Sequence, residues 1–469
     1  MALVSAFTRA NYKFKDRYLA TFTFRSDGSS RFGPDRRWGL FPSGALAWII
    51  TKESFMQNVN KNVFSLLKLR GSYGLSGSQV LGNNDWRTLY GAAQFEETPG
   101  FAPSQLGNNN LVWEQTLTKE AALDYGLFNS KLTGSIGVYD KKTSDIIYNK
   151  NIPSSSAFIS VKENIANIQN RGVEFFIDYN IYRKRDMNIS FNFNVAHNVS
   201  KVTRINGVDK FIDLYGGNSL AIRMQEGQPM GQWFGYRWSG RYYQSMEEYN
   251  LLSTQNPATG AKIWYQNGLS TIRPGDLKFD DVNGDGVVNN DDRVPLGTFQ
   301  PKYFGGFAAN FRKGGLSMNL NFTYSTGSLR YWYTNSANWY GVGLFMKNYP
   351  EYVLDSWSTT NRISQWPRMA YGQGSSNTFS DFWLSKADYL RLSQVRLTYR
   401  FPDKWIQSKI NGGLDLSVSA SNLFTLTNYN GIDPEGNFRL SGGATGTGTD
   451  YGTYPSIRTY NLSIRYSLR

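Results

Sequence analysis

From Leu316 to Ser325, apolar and polar residues alternate without a break. Leu316, Met318, Leu320, Phe322 and Tyr324 fall on one face of an extended chain, and Ser317, Asn319, Asn321, Thr323 and Ser325 on the other. Such a run is about as long as the ~9–11 residues that a tilted strand needs to cross a bilayer. Tyr303, Gly305, Phe307, Ala309 and Phe311 alternate in the same way just upstream, and only Arg312 to Gly315 separates the two runs, so the pair predicts a tight hairpin.

The same pattern recurs from end to end. It predicts strands near 3–13, 17–27, 43–51, 64–75, 114–127, 131–147, 171–182, 187–204, 303–311, 316–325, 388–401, 412–424 and 457–469. In the stretch 388–401 the apolar parity switches from Leu390 and Leu392 to Val395, Leu397 and Tyr399, which predicts a bulge near Ser393 and Gln394. Connections between these segments are expected to alternate short and long. That is the signature of an outer-membrane barrel, with tight periplasmic turns and long extracellular loops. The expected fold class is therefore all-β, a transmembrane antiparallel β-barrel. An open sheet would leave two edges of unpaired N–H and C=O groups in lipid. These ~13 strands are thus expected to need further strands to close the barrel. The chain reads as one unit, 1–469, with a long extracellular loop at 205–302.

Composition agrees with a membrane barrel. Aromatics make up 16% of the chain and glycine 46 residues, yet mean hydropathy is only −0.46. Many rings with low mean hydropathy suit an aromatic girdle around a polar lumen, although secreted β-rich lectins or hydrolases share that balance. No stretch approaches the ~18 apolar residues of a membrane-spanning helix. Cysteine is absent, so neither disulfides nor thiol chemistry contribute. The formal charge of +14 is spread singly over strands and loops. It points to anionic lipid headgroups or a charged pore wall, and no nucleic-acid partner is expected. The first residues, from Met1 to Phe14, lack the basic start, apolar core and cleavage site of a signal peptide and read as a strand already under way. A longer chain is expected, of which this is the C-terminal part.

The sharpest chemical signal is Asp281 to Asp292. Asp281, Asn283, Asp285, Asn289 and Asp292 place side-chain oxygens at positions 1, 3, 5, 9 and 12, with Gly286 at the sharp turn and the Val287 carbonyl at position 7. This is the spacing of a twelve-residue Ca2+ loop, with aspartate in place of glutamate at the last position. A structural Ca2+ is expected here; a metal-free, Asx-rich turn is the plainer alternative. Tyr331, Trp332, Tyr333, Trp339 and Tyr340 crowd one loop, where they would either contact a ligand at the barrel mouth or simply pack the loop. His197, the sole histidine, has no partner in sequence and reads as a polar residue of the wall. Glu247 and Glu248 lie in a loop without an obvious partner. The stretch from Phe24 to Gly33, followed by Arg37 to Ser43, reads as a loop latch. No catalytic residues are expected.

The ordered motifs resemble the C-terminal portion of a SusC/RagA-type TonB-dependent outer-membrane transporter. They are Phe24 to Gly33 with Arg37 to Ser43; Leu67 to Gly74; Leu111 to Thr116 with Leu123 to Gly126; Asn170 to Phe175; Gly231 to Tyr236; Gly275-Asp276 before the Ca2+ loop; Tyr389 to Leu392; and Ala420 to Phe424 before Asp433-Pro434-Glu435. The resemblance implies a barrel of ~22 strands, the size of the plugged outer-membrane transporters, of which these are the C-terminal ~13. It also implies import of oligosaccharides or peptides, energised by TonB–ExbB–ExbD through a plug and TonB box upstream and aided by a SusD-like surface lipoprotein. The chain departs from the family in ending on Tyr466-Ser467-Leu468-Arg469 rather than on an aromatic residue. Two other readings stay open on residues alone: a passive porin or structural barrel, and a secreted β-rich glycan-binding protein.

Overall fold

The computed structural model describes the chain apart from residues 157, 159, 208–209, 214–221, 256, 267–271, 341–347, 370–377, 403–411, 437–447 and 469. Thirteen strands form one antiparallel sheet, each paired with the next in chain order. They are β1 (Leu3–Phe14), β2 (Tyr18–Ser29), β3 (Trp38–Ile49), β4 (Phe64–Ser78), β5 (Glu114–Leu127), β6 (Leu132–Asn151) and β7 (Ser160–Arg183). β8 (Met187–Ile205), β9 (Tyr303–Lys313), β10 (Leu316–Thr326), β11 (Tyr389–Arg400), β12 (Gly412–Thr427) and β13 (Thr459–Leu468) follow. Every expected strand is present.

Register turns the alternation into two faces. Phe193 pairs with Phe307, Phe307 with Phe322, and Phe322 with Leu392, so apolar side chains stand in one row across four strands. The Phe307 and Phe322 rings stack at 4.6 Å and 14°. The same face carries Leu46, Leu69, Ile136, Val173, Leu462 and Ile464, all exposed. Water would not tolerate so large an apolar surface; hydrocarbon covers it without loss. The opposite face is polar. Asn319 donates to Asn310 at 2.7 Å, Asn321 to Gln394 at 3.2 Å, and Asp124 holds Lys68 at 3.1 Å and Arg70 at 3.2 Å.

The expected bulge lies at Ser393. Asn321 pairs with Gln394 and Phe322 with Leu392, so Ser393 has no cross-strand partner on β10, and its hydroxyl donates to the Asn321 carbonyl at 3.0 Å. This one-residue step keeps Leu392 and Val395 on the same face despite the change of parity.

The expected alternation of connection lengths does not hold strictly. Residues 30–37 and 152–159 bridge strands at the long-connection end in fewer residues than 50–63 use at the other. The reason is that strands continue beyond the apolar belt. β3 begins at Trp38 rather than near 43, and β7 at Ser160 rather than near 171. These extensions stand in water, need no apolar face, and so carry no alternation to read.

Among the described residues no helix is long and apolar enough to cross a membrane. The edges β1 and β13 are each paired on one side only. The packed cores lie toward one end of the sheet: 206–302 packs against 327–388, which in turn bonds 428–458, while 79–113 packs against Phe32 and Phe41.

Candidate functional site

This end is a platform of interlocked loops. In the 206–302 connection, Phe211–Asp213, Ile222–Gln225, Gln232–Gly235 and Val294–Thr298 form a small four-stranded sheet. It contributes Trp233, fully buried, to a cluster with Tyr331, Phe379 and Trp383 from the 327–388 connection. The Trp233 indole N–H donates to the Leu329 carbonyl at 3.0 Å, which satisfies the one polar atom of the ring. A second cluster joins Tyr236, Leu277, Phe279 and Val288 to Trp357. Tyr236 and Phe279 stack at 5.2 Å, and the Tyr236 hydroxyl donates to Asn290 at 3.1 Å. Burial, with Asp292 and Asp291 close by, pushes the Tyr236 phenol up to about 12 despite Arg293, so it stays a donor at any physiological pH.

Two charged latches hold the loops, one between loops and one from strand β11 to a loop. Asp276 is fully buried and receives the Arg368 guanidinium in two bonds, 2.7 Å to Oδ1 and 3.1 Å to Oδ2. The preceding Gly275 sits at φ +88°, and a Cβ there would come within 2.3 Å of the Trp357 ring, so only glycine admits this approach. On the lumenal side, the Arg391 guanidinium at the start of β11 reaches Asp433 at 2.7 Å, Ser456 at 2.8 Å and Thr425 at 2.9 Å, and also bonds Glu435. Burial pushes the Asp433 carboxyl up. The N–H groups of Glu435 and Ser456, with Arg391, outweigh that and hold it below the usual range.

Asp281 to Asp292 forms a wound loop around its own carboxylates. Asp281 accepts the N–H of Gly284 at 2.8 Å and of Gly286 at 2.7 Å. Asn283 accepts Asp285 N–H at 2.9 Å and Asp285 accepts Val287 N–H at 2.8 Å. Asn289 accepts Asp291 N–H at 2.8 Å. Asp292, fully buried, accepts Val282 at 2.8 Å and Asn289 at 2.7 Å. Gly284 and Gly286 both adopt positive φ, as a tight turn through successive oxygen donors requires. Val288 leaves the loop to enter the second core. Among the described residues no three His, Cys, Asp or Glu side chains converge on one point. The candidate donor set instead mixes Asp281, Asp285 and Asp292 with the amides of Asn283 and Asn289 and the Val287 carbonyl.

The aromatic residues of the 327–388 loop divide. Tyr331 is a fully buried core residue, and Trp332 and Tyr333 are half-buried against Tyr352 and Tyr451, at 6.3 and 4.6 Å between ring centres. Trp339 and Tyr340 belong to the helix Tyr333–Tyr340, but their side chains lie outside the described residues. His197 stands on the apolar face of β8, its ring 4.8 Å from that of Tyr303 and Nδ1 2.7 Å from the Lys302 carbonyl. Glu248 pairs with Lys278 at 3.1 Å and accepts the Gln244 N–H, so it is a structural residue of a short helix, Met246–Leu252. Residue patterns singled out Gly275-Asp276 and Asp433-Pro434-Glu435, but not Arg368, Trp357 or Phe379. Those partners lie far away in sequence within irregular segments that carry no periodicity.

This wall and platform have close counterparts. The profile of the family described as "TonB dependent receptor-like, beta-barrel" matches residues 2–423. TonB-dependent receptor P3 of Formosa agariphila is 30% identical over 98% of this chain and 45% of its own length. TonB-dependent receptor SusC of Bacteroides thetaiotaomicron is 30% identical over 98% of this chain and 43% of its own length. A solved structure titled "Structure of the RagAB peptide transporter" superposes with TM-score 0.81 and 25% identity, covering 99% of this chain and 48% of that one. The chain spans about half the length of the curated relatives it matches. It belongs to the TonB-dependent receptor-like β-barrel family of the Gram-negative outer membrane, and is of the SusC/RagA type.

Proposed function

We propose that this chain supplies the loop-bearing part of the barrel of a TonB-energised importer for oligosaccharides or peptides, working with a SusD-like lipoprotein that closes over the platform. The observation that carries the reading is the platform itself. Loops fixed by buried aromatic clusters and two charged latches present a firm rim, which a passive pore does not need and a lid does. The agreement with SusC and with the RagAB peptide transporter along nearly the whole chain supports the same reading. The test is uptake of labelled oligosaccharides and labelled peptides by cells with and without the full-length gene, with and without a protonophore. Loss of uptake on deletion, and on collapse of the proton gradient, supports active import, and the preferred label names the substrate class. Uptake that persists in the presence of protonophore makes the protein a passive pore.

We also propose that Asp281, Asn283, Asp285, Val287, Asn289 and Asp292 hold a structural Ca2+. The ion would draw the oxygens of a loop already wound in the required sense and stiffen the 205–302 connection. Resistance of that connection to protease is expected to fall on chelation, and Asp285→Ala is expected to abolish the Ca2+ response. Equal resistance with and without chelator in the unaltered protein sinks this reading.

A further inference from the structure

On the outward face of β5 to β8 the apolar belt ends in a band of cations. Lys119, Lys142, Arg171 and Lys201 are all exposed and occupy two adjacent cross-strand rows on the long-connection side of the apolar positions Val138 and Val173. The lower row runs Tyr73, Lys119, Asp140, Arg171, Val199; in the upper row Lys142 and Lys201 both pair with Gln169. The one acid among them is already engaged. Asp140 accepts both Gln169 Nε2 contacts, at 2.7 and 2.9 Å, and Arg171 Nε at 3.2 Å. Lys119 Nζ lies 5.6 Å from the centre of the Tyr73 ring. Among the described residues Lys119, Lys142 and Lys201 have no carboxylate within ion-pair distance.

Below the patch the lipid-facing surface is hollowed. Gly71 and Ala121 are small where their neighbours are large, and two shallow depressions, of about 590 and 470 Å³, meet at Ala121. The upper reaches Lys119 and Arg171 past Val138 and Val173; the lower runs toward the opposite rim between Leu46, Trp48 and Tyr18. A groove that lies along hydrocarbon is filled by an acyl chain. A cluster of lysines and an arginine at its outer mouth, at headgroup depth, calls for a multivalent anion with several acceptor oxygens, and phosphate fits that description.

We propose that this face of β5 to β8 binds a phosphorylated lipid of the outer leaflet, of the lipid A class. One acyl chain lies in the groove over Gly71 and Ala121, and a phosphate is held by Lys119, Arg171 and the lysines of the second row. The surface is on the outside of the wall, so it stands apart from the transport reading.

Full-length protein in phosphatidylcholine nanodiscs is titrated with monophosphoryl lipid A, and protein extracted from outer membranes is analysed for copurifying phosphorylated lipid by native mass spectrometry. Lys119→Glu with Arg171→Glu is expected to weaken binding by roughly tenfold or more, since each basic residue near an anionic surface carries a several-fold effect. Ala121→Phe, which closes the groove without changing charge, is expected to weaken lipid A binding as well. Heat-modifiable migration verifies that each variant has assembled; should the double reversal fail to assemble, Lys142→Gln with Lys201→Gln replaces it. Equal lipid retention by the unaltered protein and the charge variants overturns the proposal. So does full displacement of the lipid by inorganic phosphate at the same concentration, which would make this a free-phosphate site.

Discussion

The barrel wall and the loop platform use hydrophobic residues in opposite ways. In the wall, Phe322 stacks on Phe307, which has Phe191 beside it at 6.2 Å, and all three face outward. In the platform, Trp233 and Tyr331 are wholly enclosed by side chains brought from connections distant in sequence. The wall is held by main-chain ladders that register alone fixes, and its outward side chains need only be apolar. The platform has little ladder to hold it. It depends on close packing, on hydrogen bonds such as Trp233 Nε1 to the Leu329 carbonyl and Tyr331 Oη to Ser336, and on ion pairs such as Arg368–Asp276. A conservative change should therefore be harmless in one region and damaging in the other.

The largest expected effect is in the platform. Trp233→Ala should remove about 3–5 kcal/mol of local stability, the usual result of emptying a buried tryptophan site. Trypsin should then cut the 206–302 connection readily while heat-modifiable migration of the barrel is unchanged. If barrel migration is lost too, the two regions are not separable.

Next is Phe322→Arg, which places a charge in hydrocarbon at about 2–4 kcal/mol near the midplane. Outer-membrane assembly should fail, whereas Asn321→Arg on the lumenal face should assemble normally. Equal behaviour of the two variants would reverse or abolish the assignment of faces.

The Asp433 latch gives a smaller, pH-dependent effect. Its carboxyl is held below the usual range in the folded loop, so its contribution is complete above the ordinary aspartate value of about 3.9 and is lost as pH falls below that. Hydrogen exchange in the described part of 428–458 should rise on acidification below about pH 4. Asp433→Asn should exchange fast at neutral pH and lose that dependence, with β9 and β10 unaffected.

The smallest change is expected from Asn319→Ala. Its bond to Asn310 faces the lumen, where water replaces it, so roughly 0.5–1 kcal/mol or less is at stake. Denaturation of the purified barrel should be nearly unaltered, which sets this face apart from that of Phe322, three residues along the same strand and on the opposite side.

Strand number, order, the two faces and the Ser393 bulge were legible because period-2 alternation is local. A residue such as Leu320 declares its face through its immediate neighbours, and a bilayer outside demands nothing more specific than apolarity. The same rule shows why β3 and β7 were read too short, since their outer ends stand in water and are free of the pattern. The wound turn from Asp281 to Asp292 was legible for a similar reason, all of its oxygen-bearing side chains lying within twelve consecutive residues. Tertiary structure alone decided the rest. That Trp233 meets Phe379, that Asp276 meets Arg368, and that Lys119, Arg171 and Lys201 gather above a hollow at Ala121 each depend on register or packing between segments far apart in the chain. Such meetings are set by the register of the sheet and the filling of the space at its end, and no local pattern records them.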